Sequence, residues 1–424
     1  VVTAAHAQTL NWTISLGSSQ CTPGDGLQLD GSSNVVVTKG GCGLVVEKYN
    51  ASGLRTFQKT LVISNNGVDP YITGTRAAPD DKGNTIVAGM FRGTLQLGSY
   101  LFTSKGQRKL RQGKKGIEEI NKRELDIFVA KLDATGGIVW AKHIFSAHGS
   151  DLLSHIHTDN EGNVLVAGYM GGMLEVYKTS VELEGRRGQF FLMRFNIRSD
   201  YVSATRPEGI RKKLRDLQFG IYNRNLYFAY RKANGLPVVS KHEPFGRLVW
   251  KTDPLAKDAE YLQATRGTIS LGMNVADEEV RLLGVANKKI RLADGTYRLS
   301  PAPWMERLGV ADGEPFFKKY IRDTTFAKGP FVRCQTHVLS DGSGYFLGTT
   351  PTGDVLLVDV RPNSNSLKDH VVLSGTAPVG LNNFAVNNNY ELFLLVTGLG
   401  GATYNGRLLT NPNPGEAILL KLQD

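Results

Sequence analysis

The chain has 424 residues, with 50 Lys and Arg against 39 Asp and Glu, a formal charge of +11, 48 Gly and only 21% charged residues. That length can bury a sizeable core, either as two or three ordinary domains or as one large all-β ring. No apolar run reaches the ~18–20 residues needed to cross a bilayer, so no transmembrane span is expected.

Residues 1–7, "VVTAAHA", have Ala5 and Ala7 as the small residues of an A-x-A cleavage signal, and the composition changes at Gln8. The expectation is an exported protein, periplasmic, outer-membrane-associated or extracellular, with residues 8–424 forming the folded body. "LNWTISL" (10–16) reads as a strand. Cys21 and Cys42 lie near one another in sequence, and an oxidising compartment would permit a disulfide between them. Cys334 reads as a small buried hydrophobe.

Further along, one strand–turn–strand unit recurs. "FVAKLDATGGIVWAK" (128–142) aligns without gaps to "VVEKYNASGLRTFQK" (45–59) and "VVSKHEPFGRLVWK" (238–251). "FLMRFN" (191–196), "WMERLGVADGEPFF" (304–317, one residue longer), "LLVDVRP" (356–362) and "ILLKLQ" (418–423) complete seven copies. A second hairpin precedes most copies, clearest in "HIHTDNEGNVLVAG" (155–168) and "TRAAPDDKGNTIVAG" (75–89). Each reads strand, Asx/Gly turn, strand. Around residues 262–282 the pattern is poor, and that copy is placed by its neighbours.

Four strands per unit, repeated along the whole chain, predict a single seven-bladed β-propeller, all-β, with four antiparallel strands per blade. The last copy has a third strand and no fourth, whereas "LNWTISL" is a fourth strand with Trp12 where Trp140 stands. The N-terminal strand is therefore expected to complete the C-terminal blade and remove two open edges. The two motifs resemble the bacterial seven-bladed β-propeller repeat family, which alternates D-x-x-G-N-V-x-V-x-G and F-V-A-K-L-D-x-x-G-x-x-W hairpins. The match is strongest in blades 2 and 3. The resemblance implies architecture alone, because the family has no shared catalytic residues to carry over.

Few residues suggest chemistry. His155 and His157 are two apart on one strand and so share a face, with His337 on the corresponding strand of blade 6. A structural role is favoured over metal ligation, since Arg76 and Ala78 hold the same positions in blade 2. His242 replaces core Leu132. The turns "PDDKGN" and "TDNEGN" lack the further oxygen ligands of a calcium loop and read as Asx turns. Lys48, Lys131, Lys241, Lys421 and Arg194 recur on third strands, where each stem is expected to cover apolar surface while its charge reaches water. No cofactor, metal or catalytic set is expected.

The basic segments are the most unusual feature. Thr103–Glu124, an insertion between the second and third strands of blade 2, carries Lys105, Arg108, Lys109, Arg111, Lys114, Lys115, Lys122 and Arg123 against three Glu. A second run, with Arg211, Lys212 and Lys213, links blades 3 and 4, and Arg186 and Arg187 lie in the two-to-three loop of blade 3. Connections of these two kinds leave a propeller on the same face, so the segments are expected to share a rim sector. The functional expectation is a non-catalytic scaffold of the cell envelope that docks a protein partner or an anionic envelope polymer. The alternative is a propeller enzyme, a polysaccharide lyase or glycoside hydrolase, with its site at the central channel mouth. Nucleic acid is not expected, because the insertion lacks interleaved aromatics for base stacking.

Overall fold

The computed structural model describes residues 9–16, 23–39, 43–64, 70–80, 82–104, 108–113, 116–121, 125–146, 150–159, 161–176, 182–183, 188–198, 200–210, 215–232, 237–253, 269–274, 278–291, 297–320, 333–339, 341, 343–349, 354–360, 367–374, 380–397, 402–404, 407–409 and 417–423. Every regular element among them is a strand. The pairing yields seven four-stranded antiparallel meanders, the strand arrangement of a seven-bladed β-propeller.

Three blades belong to the compact unit Ser19–Lys213. Blade 1 comprises Pro23–Leu29, Val35–Lys39, Leu44–Tyr49 and Arg55–Ser64. Blade 2 comprises Tyr71–Pro79, Thr85–Arg92, Asp126–Leu132 and Ile138–Ser146. Blade 3 comprises Leu152–Thr158, Val164–Met170, Gln189–Phe195 and Tyr201–Thr205.

The other unit joins Val1–Ser18 to Leu214–Asp424 and holds four blades. Blade 4 runs Arg215–Tyr222, Asn225–Arg231, Pro237–His242 and Leu248–Thr252. Blade 5 runs Ile269–Asn274, Glu279–Arg291, Tyr297–Gly309 and Pro315–Tyr320. Blade 6 runs Arg333–Val338, Gly344–Thr349, Val355–Val360 and Leu367–Leu373. Blade 7 runs Gly380–Val386, Leu392–Thr397 and Ala417–Gln423, and its fourth strand is Thr9–Ser15. The N-terminal strand thus completes the C-terminal blade, with Trp12 opposite Lys421 as Trp140 is opposite Lys131.

Central strands are sandwiched on both faces and are apolar almost throughout. Asp126–Leu132 is buried at every position, so its side chains do not alternate between core and water. Outer strands do alternate, as in Arg55–Ser64, where Phe57, Leu61 and Ile63 are buried and their neighbours face water. The glycines of the V-A-G stretches make room for aromatics across the sheet. A Cβ on Gly89 would lie 2.8 Å from the Phe128 ring, and one on Gly168 would lie 2.2 Å from the Leu152 carbonyl oxygen. In six blades the register slips beside the recurrent third-strand position, in blade 2 between Lys131 and Leu132, which leaves Val139 as the extra bulge residue.

Long two-to-three connections reach back to the preceding blade. The hairpin Thr94–Leu97/Tyr100–Thr103 leaves blade 2 and pairs with the outer strand of blade 1, Val62 opposite Gln96. It buries Leu95, Leu97 and Phe102, roughly 1.5–3 kcal/mol for each large side chain. Leu174–Val176 and Glu182–Leu183 attach in the same way from blade 3 to the outer strand of blade 2. In the other unit, Thr403 of blade 7 exchanges backbone hydrogen bonds with Ser374, just after the outer strand of blade 6. The sequence reading did not foresee these extensions.

Candidate functional site

Three of the recurrent third-strand cations, Lys48, Lys131 and Lys421, are buried in ion pairs, Arg194 is half-buried in one, and Lys241 has none among the described residues. In blade 2, Asp80 Oδ1 accepts the backbone N–H groups of Lys82 and Asn84, at 3.0 and 2.9 Å, which forms the Asx turn. Its Oδ2 accepts from Asn84 Nδ2 and Lys131 Nζ, both at 2.8 Å. Gly83 sits in the turn at φ +80°. Blade 1 repeats this with Asp30, Asn34 and Lys48, and blade 3 with Asp159, Asn163 and Arg194. In blade 7 the carboxylate has moved four residues on: Asn387 makes the turn, Glu391 binds its amide at 2.6 Å, and Lys421 pairs with Glu391 at 2.7 Å. Blade 5 places Glu279 at that same register position, paired with Arg307. Blade 4 has no such acid, and Lys241 donates to the Val310 carbonyl at 3.0 Å instead.

The expectation that these charges reach water is therefore corrected for Lys48, Lys131 and Lys421. The Lys131 side chain is only 4% exposed and its partner Asp80 3%. Burial alone would raise the Asp80 pKa, but hydrogen bonds from Lys131 and Asn84 outweigh it and hold the carboxyl below its ordinary range. The turns are structural, as read from sequence: their oxygens are consumed by the turn and by the third-strand cation.

His155 and His157 are half-buried on the first strand of blade 3. Burial, then the neighbouring His157 and Arg76, push His155 down to about 3, and burial also lowers His157 against the pull of Asp159. His337, in the other unit, is lowered to about 4 by burial; its ring lies 6.0 Å from that of Phe384. Among the described residues no group of three or more His, Cys, Asp or Glu stands in metal-binding proximity. His242 is fully buried between Ser240 Oγ and the Gly246 carbonyl, a core substitution.

Of the basic residues, Arg108, Lys109 and Arg111 lie on a two-stranded hairpin, Arg108–Gly113 with Gly116–Asn121, between the second and third strands of blade 2. In its register Lys109 is opposite Ile120 and Arg111 opposite Glu118. Lys105, Lys114, Lys115, Arg186, Arg187, Arg211, Lys212 and Lys213 lie outside the described residues, as do Cys21 and Cys42.

A second basic hairpin escaped the sequence reading. The central strands of blade 5 remain paired from Val285 opposite Pro303 to Arg291 opposite Tyr297, beyond the pairing of Ile269–Asn274 and of Pro315–Tyr320. Seven further residue pairs make a ribbon roughly 20 Å long at ~3.3 Å per residue. Lys288 and Arg298 fall on one face of it by register, and Lys289 and Arg291 on the other.

No protein-family model matches the chain, and no curated protein matches it. Among solved structures it is similar to a protein of unknown function from Bacteroides caccae, at 10% identity over 80% of this chain and 93% of that one, TM-score 0.38. It is also similar to the WD40 domain of Toxoplasma gondii coronin, at 11% identity over 99% of this chain and 85% of that one, TM-score 0.44. The fold assignment rests on the strand pairing of the chain itself.

Proposed function

We propose that the chain is a non-catalytic binding scaffold, a bacterial seven-bladed propeller exported to the cell envelope, which docks an acidic protein partner or an anionic envelope polymer through its basic connections. One contrast carries this reading. In blades 1, 2 and 7 the recurrent lysines are neutralised by buried acids and add nothing to the net charge of +11. Two segments concentrate it: 103–124, with eight Lys and Arg against three Glu, and 285–303, with four against one Asp. Clustered cations on projecting hairpins steer acidic partners and lose that effect as salt shortens the Debye length below ~8–10 Å. The A-x-A signal at Ala5–Ala7 supports export, and the paired hairpin motifs support membership of the bacterial repeat family.

The test is retention of the full chain on immobilised heparin and on immobilised polyglutamate. Reversing Lys109, Arg111, Lys114 and Lys115 to Glu is expected to reduce retention at least tenfold at low salt, with an unchanged melting temperature. Retention that survives the reversal and ignores salt would remove the basis for this function.

A further inference from the structure

Buried polar side chains meet where the basic insertion rejoins blade 2. Asp126 opens the third strand there, and its Oδ2 lies 2.8 Å from Nε2 of His143 on the fourth. The rings of Phe91, Phe102 and Phe145 surround His143 at centroid separations of 5.2, 5.2 and 4.9 Å, which shuts the pair away from water. Ser146 ends the fourth strand and donates its hydroxyl to Oδ1 of Asp151. The same oxygen accepts the Gly171 N–H at 2.7 Å. The Asp151 N–H in turn donates to the Leu125 carbonyl at 2.8 Å, and the Leu125 N–H to Ser150 Oγ at 3.2 Å. Leu125 is the residue through which the insertion re-enters blade 2, and Gly171 is the residue through which the two-to-three connection of blade 3 departs. One aspartate thus ties the roots of both.

Asp151 is wholly buried, and its Oδ2 has no hydrogen-bond partner. A neutral carboxyl is the less costly form at this site: a carbonyl-like Oδ1 accepts both bonds and Oδ2–H is left as one unmet donor. An ionised one would leave charge on an unsolvated oxygen. The titratable groups on the surrounding strands are Asp126 and His143, already joined to each other, and Glu175, in register with Phe145 on the attached hairpin. The neighbouring charge that acts on Asp151 is that of Asp126.

We propose that Asp151 is a proton-operated clasp: its neutral carboxyl holds the roots of the two connections closed, and its ionisation releases the basic insertion of blade 2. The consequence for partner capture rests on reading that insertion as a docking element. Burial pushes the carboxyl up to about 7; the bonds from Ser146 and Gly171 oppose the rise and the charge on Asp126 adds to it. The closed form therefore ionises near neutrality, whereas an open form in which water reaches the carboxylate titrates near the ordinary ~3.9; between the two each pH unit shifts the balance about tenfold toward opening, and above about 7, where both forms are ionised, it levels off.

The experiment is amide hydrogen exchange at Leu125, Asp151 and Gly171 in the full chain between pH 4 and 9, corrected for the intrinsic rates. In the unmodified protein, opening at these amides is expected to rise about tenfold per pH unit from ~4 to about 7 and to level off above it. Asp151→Asn keeps an acceptor oxygen but cannot ionise, so its opening should be independent of pH. Ser146→Ala, which removes a bond that favours the charge, should move the level-off to higher pH and serves if the first variant folds poorly. Equal pH dependence in all three proteins overturns the clasp. Heparin retention of the unmodified chain should fall as pH rises from ~4 to about 7 and that of Asp151→Asn should not. If exchange follows the proton while retention ignores it in both, the clasp stands and its link to docking is overturned.

Discussion

The buried acid–lysine pair of blade 2 is open to a transplant that the chain itself has already made. Lys131 stands opposite Ile86 and Lys421 opposite Phe393, so Asn84 and Glu391, each two residues before, occupy one position in two blades. In blade 2 the charge sits on Asp80 and the amide on Asn84; in blade 7 the amide sits on Asn387 and the charge on Glu391. Asp80→Asn should preserve the turn, because Asn50 and Asn387 make the same bonds elsewhere. It strands Lys131 without a counter-charge, and breaking a buried pair in this way costs about 3–5 kcal/mol. At about 2.1 cal/mol/K per residue, cooperative unfolding of 424 residues converts that into a fall in Tm of about 3–6 °C. Adding Asn84→Glu should restore the pair as blade 7 builds it and recover most of the loss. The Asp80 carboxyl is held below its ordinary range, so its contribution is present above that range and lost as pH falls through the depressed value. The single variant should therefore lack that acid step. Thermal denaturation at pH 7 and pH 3 decides the matter. If Asp80→Asn melts with the unmodified protein, or the double variant no higher than the single, the pair does not hold the blade.

Two further outcomes are expected. Removing Leu10–Ser15 exposes the edge of Ala417–Gln423 and takes away the Trp12 ring, 6.1 Å from Phe393; the melting temperature should fall, and an unchanged transition would mean the pairing contributes nothing. His155, held neutral with its pKa lowered to about 3, should cost stability as pH falls from its unfolded value of ~6.5 toward 3, because the unfolded chain then binds the extra proton; His155→Gln should flatten that limb of a Tm-against-pH curve.

What the sequence disclosed was whatever repeats. Trp140, Phe57, Trp250 and Trp12 all stand opposite a third-strand lysine, as gap-free alignment of the copies requires, and each lies beside the same register slip. The Asx turns were legible because an Asp or Asn followed by a left-handed residue is a local device, independent of distant packing. The partner of the lysine was not legible. It lies 51 residues away in blade 2, from Asp80 to Lys131, and 30 in blade 7, from Glu391 to Lys421, separated by a connection of arbitrary length. Lysine alone reads equally as a solvated head or a buried one, and burial settled which.

The connections were legible only as charge, because they obey no repeat. The ribbon of blade 5 carries cations and apolar residues at both of its register faces and shows no period-2 pattern. The hairpins of blades 2 and 3 are held by the outer edge of the preceding blade, a contact written in neither segment alone. Asp151 follows the same logic. In sequence it is one acid among 39 acidic residues. It becomes singular only when folding encloses it, gives one oxygen two donors and leaves the other with none. Blade geometry is thus encoded by local repetition. The chemistry that distinguishes this propeller from another with the same blades lies where the chain departs from its repeat, at the roots and tips of the two-to-three connections.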